Sequence, residues 1–308
     1  MVFDKLRARR ARDEELYDDV IREAKEVEAR KKAEEDAWGW PEEEEFEVTP
    51  RLFDASEQPL VDAVCERAIC TQAVPKVFKD NAAVRFVEKF AVEPRKAKPD
   101  ARSYLAALAQ KHYIDTAKVY LQRNTEATVV DLGCGLNTTL RQLDNHKLHW
   151  YNMDSEKALA LRSDLSMDTT PRLKSIAANP LDLKWADEVS YSKRKGMVII
   201  ANDIFEHASA WEVKNFMMGV RELFPQTLLM FSCIGNTTKA AEDGAFRLYD
   251  LNAKAVFHSW FKDPAVRVYQ TDRTPKSLSE TKDISRGMIS SINRLYSHGE
   301  QILVSIVY

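Results

Sequence analysis

Ala127, Thr128, Val129 and Val130 form an apolar run that ends in the carboxylate of Asp131, and the chain then turns at once through Gly133 and Gly135. β-Branched residues followed by a glycine turn and a helix start read as the first strand, loop and helix of a nucleotide-binding unit. A second apolar run, His149 to Met153, ends in Asp154. A doubly wound sheet places its ribose-binding carboxylate at that position. The pair of strand ends therefore calls for an open, mostly parallel α/β sheet with an adenosine ligand across its carboxyl edge. A plain strand-turn-helix with a glycine turn would account for the loop but not for the second carboxylate.

The kind of adenosine ligand follows from what the loop lacks. A dinucleotide fingerprint needs a third glycine for close packing of helix on strand over a pyrophosphate, and here Gly133 and Gly135 are followed by Leu136, Asn137 and Thr138. Asp131, two residues before the first glycine, would repel an anion at the helix N-terminus and offset the helix dipole. S-adenosylmethionine, which carries a sulfonium and an ammonium, suits such a loop.

The stretch VVDLGCGLNTTLRQLDN, followed by HWYNMDSEKALALRSDL, resembles the class I S-adenosylmethionine-dependent methyltransferases. Within them it is similar to the branch of leucine carboxyl methyltransferases and tetracenomycin-type polyketide O-methyltransferases, over roughly residues 101 to 308. Two places differ from that branch. Its Arg-Thr-Arg run before the loop stands here as Gln110, Lys111 and His112, and its glutamate-glycine stretch after the fourth strand stands as Asn202 to His207. The latter looks like the Asp-x-x-Glu-His ending of other small-molecule methyltransferases.

Composition narrows the rest. A net charge of -3 and a pI near 6.1 supply no broad cationic field for a nucleic acid. No segment approaches the ~20 apolar residues of a membrane span, and the basic start is not followed by an apolar leader core, so a cytoplasmic location is expected. Cys65, Cys70, Cys134 and Cys233 have neither Cys-x-x-Cys nor Cys/His spacing, which supports no metal site and no disulfide framework. Cys134 reads as a packing residue.

Along the chain, residues 1–46 read as a charged helical extension with an apolar stripe at Leu16, Val20, Ile21, Ala24 and Val27. That stripe would cover an acceptor cleft or join two chains as a homodimer. Trp38, Trp40 and Pro41, then Glu42 to Glu45, mark a break. Residues 47–100 read as a helical cap or lid region, and 101–308 as the methyltransferase domain. There the pattern alternates between strands and helices. Strands are expected near 127–132, 148–153, 173–177, 196–202, 226–233, 265–270 and 300–307. The fold class is α/β, a Rossmann-like seven-stranded sheet with helices on both faces, its last strand antiparallel.

The resemblance assigns roles to particular residues. Gly133 and Gly135 let the backbone approach the cofactor's methionine part, Asp131 faces its ammonium, and Asp154 takes the ribose hydroxyls or, alternatively, caps the next helix. Asp182 and Leu183 would bracket the adenine, with a turn role as the alternative for Asp182. Arg102 or Lys111 would hold the cofactor carboxylate. Asp203, Glu206 and His207 would face donor or acceptor, with His207 as the catalytic base where one is needed. Phe246, Tyr249, Phe257, Trp260 and Tyr269 are either core or acceptor lid. The activity implied is S-adenosylmethionine-dependent O-methylation of a small metabolite, as in secondary metabolism, or of a peptide, at a carboxylate or phenol. A protein C-terminal carboxyl methyltransferase, or an assembly protein that keeps the fold without catalysis, is the alternative.

Overall fold

The computed structural model describes residues 46–168, 170–235, 244–248, 251–271 and 273–308. The expected N-terminal helix with its apolar stripe, the Trp38 to Glu45 break and Tyr249 lie outside the described residues.

Three helices precede the sheet: α1 (Gln58–Ala73), α2 (Asn81–Lys89) and α3 (Ala101–Leu121). Asp80 caps α2 by accepting from Ala83 N at 3.0 Å, and Asp100 with Ser103 forms a reciprocal capping box at the start of α3. Strand and helix then alternate: β1 (Thr128–Leu132), α4 (Thr139–Leu143), β2 (His149–Asp154), α5 (Glu156–Asp164), β3 (Leu173–Ala177), β4 (Met197–Ala201), α6 (Ala210–Leu223) and β5 (Thr227–Gly235). The chain closes with β6 (Arg247–Leu248), α7 (Ala253–Phe261), β7 (Arg267–Thr271), α8 (Lys276–Glu280), α9 (Arg286–Ser297) and β8 (Ile302–Val307).

Seven strands lie in the order β3-β2-β1-β4-β5-β8-β7, and the short β6 pairs with β5 alone. The first five are parallel, with Asp131 level with Asn152 on one side and Ile200 on the other. β8 runs antiparallel between β5 and β7. This is the sheet expected from the sequence, antiparallel last strand included; the two-residue β6 and the short α8 were not foreseen.

Burial explains which runs became central strands. Every residue of β1, β4 and β5 is buried, because helices cover both faces of a parallel sheet and alternation is lost. Edge strands β3 and β7 expose Lys174, Ser175, Arg267 and Tyr269, polar side chains that blunt a free edge. The main core joins Val130, Met153, Ile199, Phe231 and Val304 of the sheet to Phe216 and Phe257 of its helices. Phe246 and Phe257 are buried in it and the partly buried Trp260 meets both rings at tilted or edge-on angles, so these three belong to the core, whereas Tyr269 is exposed. A second cluster packs α1 and α2 onto Leu136, Leu161 and Leu165, next to the glycine loop.

Candidate active site

The order of the strands reverses between β1 and β4, and the crevice at their carboxyl ends is where an open α/β sheet binds its ligand. Gly133 and Gly135 turn the chain there at φ of 65° and 43°, in the left-handed region that side chains strain to enter. At Gly133 a Cβ would also meet Ile204 Cδ1 at 2.5 Å. Asp154, at the end of β2, spans the loop: its Oδ2 accepts from Gly135 N at 2.8 Å and its Oδ1 from Ser155 N at 2.7 Å. The helix-capping role falls instead to Ser155, whose hydroxyl accepts from Ala158 N at 3.3 Å. Each Asp154 oxygen retains acceptor capacity for a diol.

Asp131 is buried and accepts from Asn137 Nδ2 at 2.8 Å. Burial raises its carboxyl to about 7, against the opposing pull of Asn137 and Arg162. A cation brought to this carboxyl would favour its ionised form.

Two buried guanidinium groups hold the loop from behind. Arg162 of α5 donates to Gly135 O and Asn137 O, both at 2.9 Å, and pairs with Asp168. Arg67 of α1 donates to Leu136 O at 2.9 Å and pairs with Asp80. Asp80 also accepts from Thr138 Oγ1 and from Gln110 Nε2, so α1, α3 and the loop meet on one carboxylate. Sequence reasoning passed over Arg67 and Asp80, which lie outside the stretch that carries the resemblance. Arg162 stood within the quoted motif without a role.

The cations expected to hold a cofactor carboxylate are engaged elsewhere. Arg102 pairs with Glu300 at 3.0 Å and Lys111 with Asp115 at 2.8 Å, while their neighbour Gln110 reaches the loop through Thr138. Asp182 takes the turn role that stands as its alternative, and Leu183 opens that turn. Asp182 is exposed, caps a short 3-10 turn (Leu183–Glu188) and pairs with Lys184, which holds its carboxyl below the usual range. Leu183 packs against Gly219 of α6. The polar side chain that follows the last β2–β3 contact, Ala178 N to Asp154 O at 3.3 Å, is Asn179, which is exposed.

Past β4, Asp203 adopts φ 57° and its N–H donates to Ser232 Oγ of β5 at 2.8 Å. Its carboxylate accepts from Ser232 Oγ at 2.9 Å and Asn202 Nδ2 at 2.7 Å, and loss of water raises its carboxyl pKa. Glu206 and His207 follow in a single 3-10 turn, Phe205–His207, with His207 exposed. Burial pushes the Glu206 carboxyl up to about 7, with Asp203 and Glu300 adding to the effect. Ser209 and Glu212 then close a capping box and start α6.

Among the described residues no group of His, Cys, Asp and Glu could hold a metal ion, and no helix is long and apolar enough to cross a membrane. Cys134 is buried with its thiol pKa raised by burial, as befits a packing residue.

The strand order, with β8 antiparallel between β5 and β7, agrees with the seven-stranded sheet that the sequence resemblance implies. No family model matches the chain, and no curated protein matches it in sequence. Among solved structures it is similar to an O-methyltransferase family protein from Burkholderia thailandensis, at 14% identity and a TM-score of 0.39. The match covers 67% of this chain and 58% of that one. A DUF574 family protein from Streptomyces avermitilis is similar at 12% identity and TM-score 0.46, covering 80% and 95%. An S-adenosylmethionine-dependent methyltransferase from Archaeoglobus fulgidus is similar at 10% identity and TM-score 0.40, covering 64% and 93%. At such values these likenesses assign no chemistry, and function is read from the site's own residues.

Proposed function

We propose that this chain is an S-adenosylmethionine-dependent methyltransferase. The observation that carries the reading is Asp154, at the end of β2, bonded to the N–H of Gly135. It joins a ribose-type carboxylate to a loop that lacks the third glycine of a pyrophosphate site. Asp131, near neutrality and beside the same loop, favours a cationic ligand over an anionic one. When bound, the cofactor supplies an electrophilic methyl group on a sulfonium, and the protein contributes proximity and alignment. Asp154 would hold the ribose, Gly133 and Gly135 would admit the methionine part, and Arg67 and Arg162 would keep the loop in place. A methyltransferase requires S-adenosylmethionine to bind and NAD not to. Calorimetry with both ligands is the test, and tight NAD binding with no response to S-adenosylmethionine would refute the reading.

The resemblance points to oxygen acceptors, a phenol or a carboxylate of a small metabolite, a peptide or a protein C-terminus. The residues past β4 weigh against carboxylates, because Asp203 and Glu206 would repel one as it entered. An acceptor that arrives with a proton to shed suits the site better. Glu206, a part-buried carboxyl raised to about 7, is tuned to take that proton at neutral pH, whereas His207 is exposed. Methyl transfer to a proton-bearing acceptor, phenol or amine, with Glu206 as base, is thus the reaction the residues support.

A further inference from the structure

At the carboxyl ends of β4 and β5, acceptors of hydrogen bonds outnumber donors. Asp203 and Glu206 lie on the segment after β4, and Glu300 is brought beside them by the bond from Gly235 N to Gly299 O at 2.7 Å. Asp203 and Glu300 both repel the Glu206 carboxylate. The cationic groups facing them are Arg102, on Glu300, and His207, near Asp203. Two buried polar atoms in the same place have no hydrogen-bond partner. One is the hydroxyl of Tyr113, a residue of α3 that is 3% exposed; it lies beside Asp203 and Ser232, and the Ser232 hydroxyl is itself bonded to Asp203. The other is Asn202 Oδ1. Buried polar atoms are rarely left unpaired, and here each is an acceptor, or can be one, beside carboxylates. The complement of such a lining is a positive group with several N–H donors. The cluster is next to the donor site, since Ile204, between Asp203 and Glu206, abuts Gly133.

Resting on the methyl-transfer reading above, we propose that the acceptor enters as a protonated amine, held by Asp203, Glu206, Asn202 Oδ1 and Tyr113, and is methylated on that nitrogen. Glu206 takes one proton from the ammonium, which frees the nitrogen lone pair. That pair attacks the methyl carbon as the carbon–sulfur bond breaks, and the bonding electrons stay on sulfur. The sulfonium becomes a neutral thioether, the positive charge passes to the methylated nitrogen, and Glu206 releases its proton to solvent. Negative charge at this point also offsets the repulsion between a cationic acceptor and the sulfonium. A carboxylate or a phenolate would forgo that benefit.

Three probes of one size separate the classes: benzylammonium, benzyl alcohol and benzoate, titrated by ligand-observed NMR into the full chain saturated with S-adenosylhomocysteine. Benzylammonium should bind at least ~10-fold more tightly than benzyl alcohol, as a charge-assisted hydrogen bond of ~1.5–3 kcal/mol requires, and benzoate most weakly. Asp203→Asn with Glu206→Gln should abolish the preference while S-adenosylhomocysteine still binds, which separates loss of the site from loss of folding. Benzyl alcohol or benzoate binding as tightly as benzylammonium would overturn the amine proposal and leave the cofactor reading intact. Failure of S-adenosylhomocysteine to bind the unaltered chain would instead overturn the methyltransferase reading itself.

Discussion

Asp154 Oδ2 accepts a hydrogen bond from Gly135 N at 2.8 Å, so the carboxylate at the end of β2 is fixed by the loop it serves. They are 19 positions apart in sequence, with α4 and β2 between, and the parallel pairing of β1 with β2 brings the two together. A ribose-binding group held in this way is set before a ligand arrives, which reduces the ordering cost of binding.

Asp154→Ala should therefore weaken S-adenosylmethionine by at least ~10-fold, since each charge-assisted bond it offers a ribose hydroxyl is worth ~1.5–3 kcal/mol. Calorimetry measures this directly, with circular dichroism to confirm that the variant is folded. An unaltered dissociation constant in a folded variant would remove Asp154 from the cofactor site.

Asp80 joins Arg67, Thr138 and Gln110 below the loop, and Asp80 is fully buried. Asp80→Ala should cost ~3–5 kcal/mol in urea unfolding, because it leaves the Arg67 guanidinium buried without its partner. Replacing both partners by apolar residues, Arg67→Met with Asp80→Leu, should cost less than Asp80→Ala alone. A double variant as unstable as the sum of its singles would show that the two groups do not act as a pair.

The raised carboxyls of Asp131 and Glu206 give a signed dependence on pH. A carboxyl whose pKa rises on folding, here from 3.8 or 4.5 to about 7, binds its proton more readily in the folded chain. Its contribution to stability is complete below pH ~4 and is lost as pH rises through 7. Asp131→Asn should thus raise the melting temperature more at pH 8 than at pH 5. A difference independent of pH would contradict the burial of an ionisable group at this position.

Binding of a cation at Asp131 favours the ionised carboxyl, so S-adenosylmethionine should bind more tightly as pH rises from 6 to 8, with proton release near pH 7. Calorimetry in buffers of different ionisation enthalpy counts the protons. Uptake in place of release would reverse the sign and refute the assignment.

Removing the proposed base, by Glu206→Gln, should lower kcat by ~10²–10⁴-fold, the usual contribution of a positioned base. His207→Gln should keep most of the activity. The opposite ranking of the two variants would restore His207 to the role the sequence first suggests.

The sheet and the cofactor end of the site were legible in sequence because both rest on local patterns. Strand runs around Val129, Met153, Ile199 and Leu229 end at the acids or glycines that a parallel sheet puts on one edge, and Ser209 with Glu212 announces the helix after β4. What the tertiary structure alone decided involves partners far apart in the chain. Arg102 and Lys111 lie on the helix where a cofactor-binding cation is expected, yet Glu300 and Asp115 engage them. Arg67 and Asp80, unremarkable as sequence, hold the glycine loop from residues separated from it by 69 and 58 positions. Leu183 is drawn onto Gly219 because packing on α6 partly buries it. Asp203 and Glu300 come close to Glu206 because β8 is inserted beside β5, and the raised Glu206 carboxyl follows from its burial and from those two neighbours. Sequence fixes which chemical groups are present and the local turns that display them. Charge pairing and desolvation depend on distances through space, and these exist only once the sheet has closed.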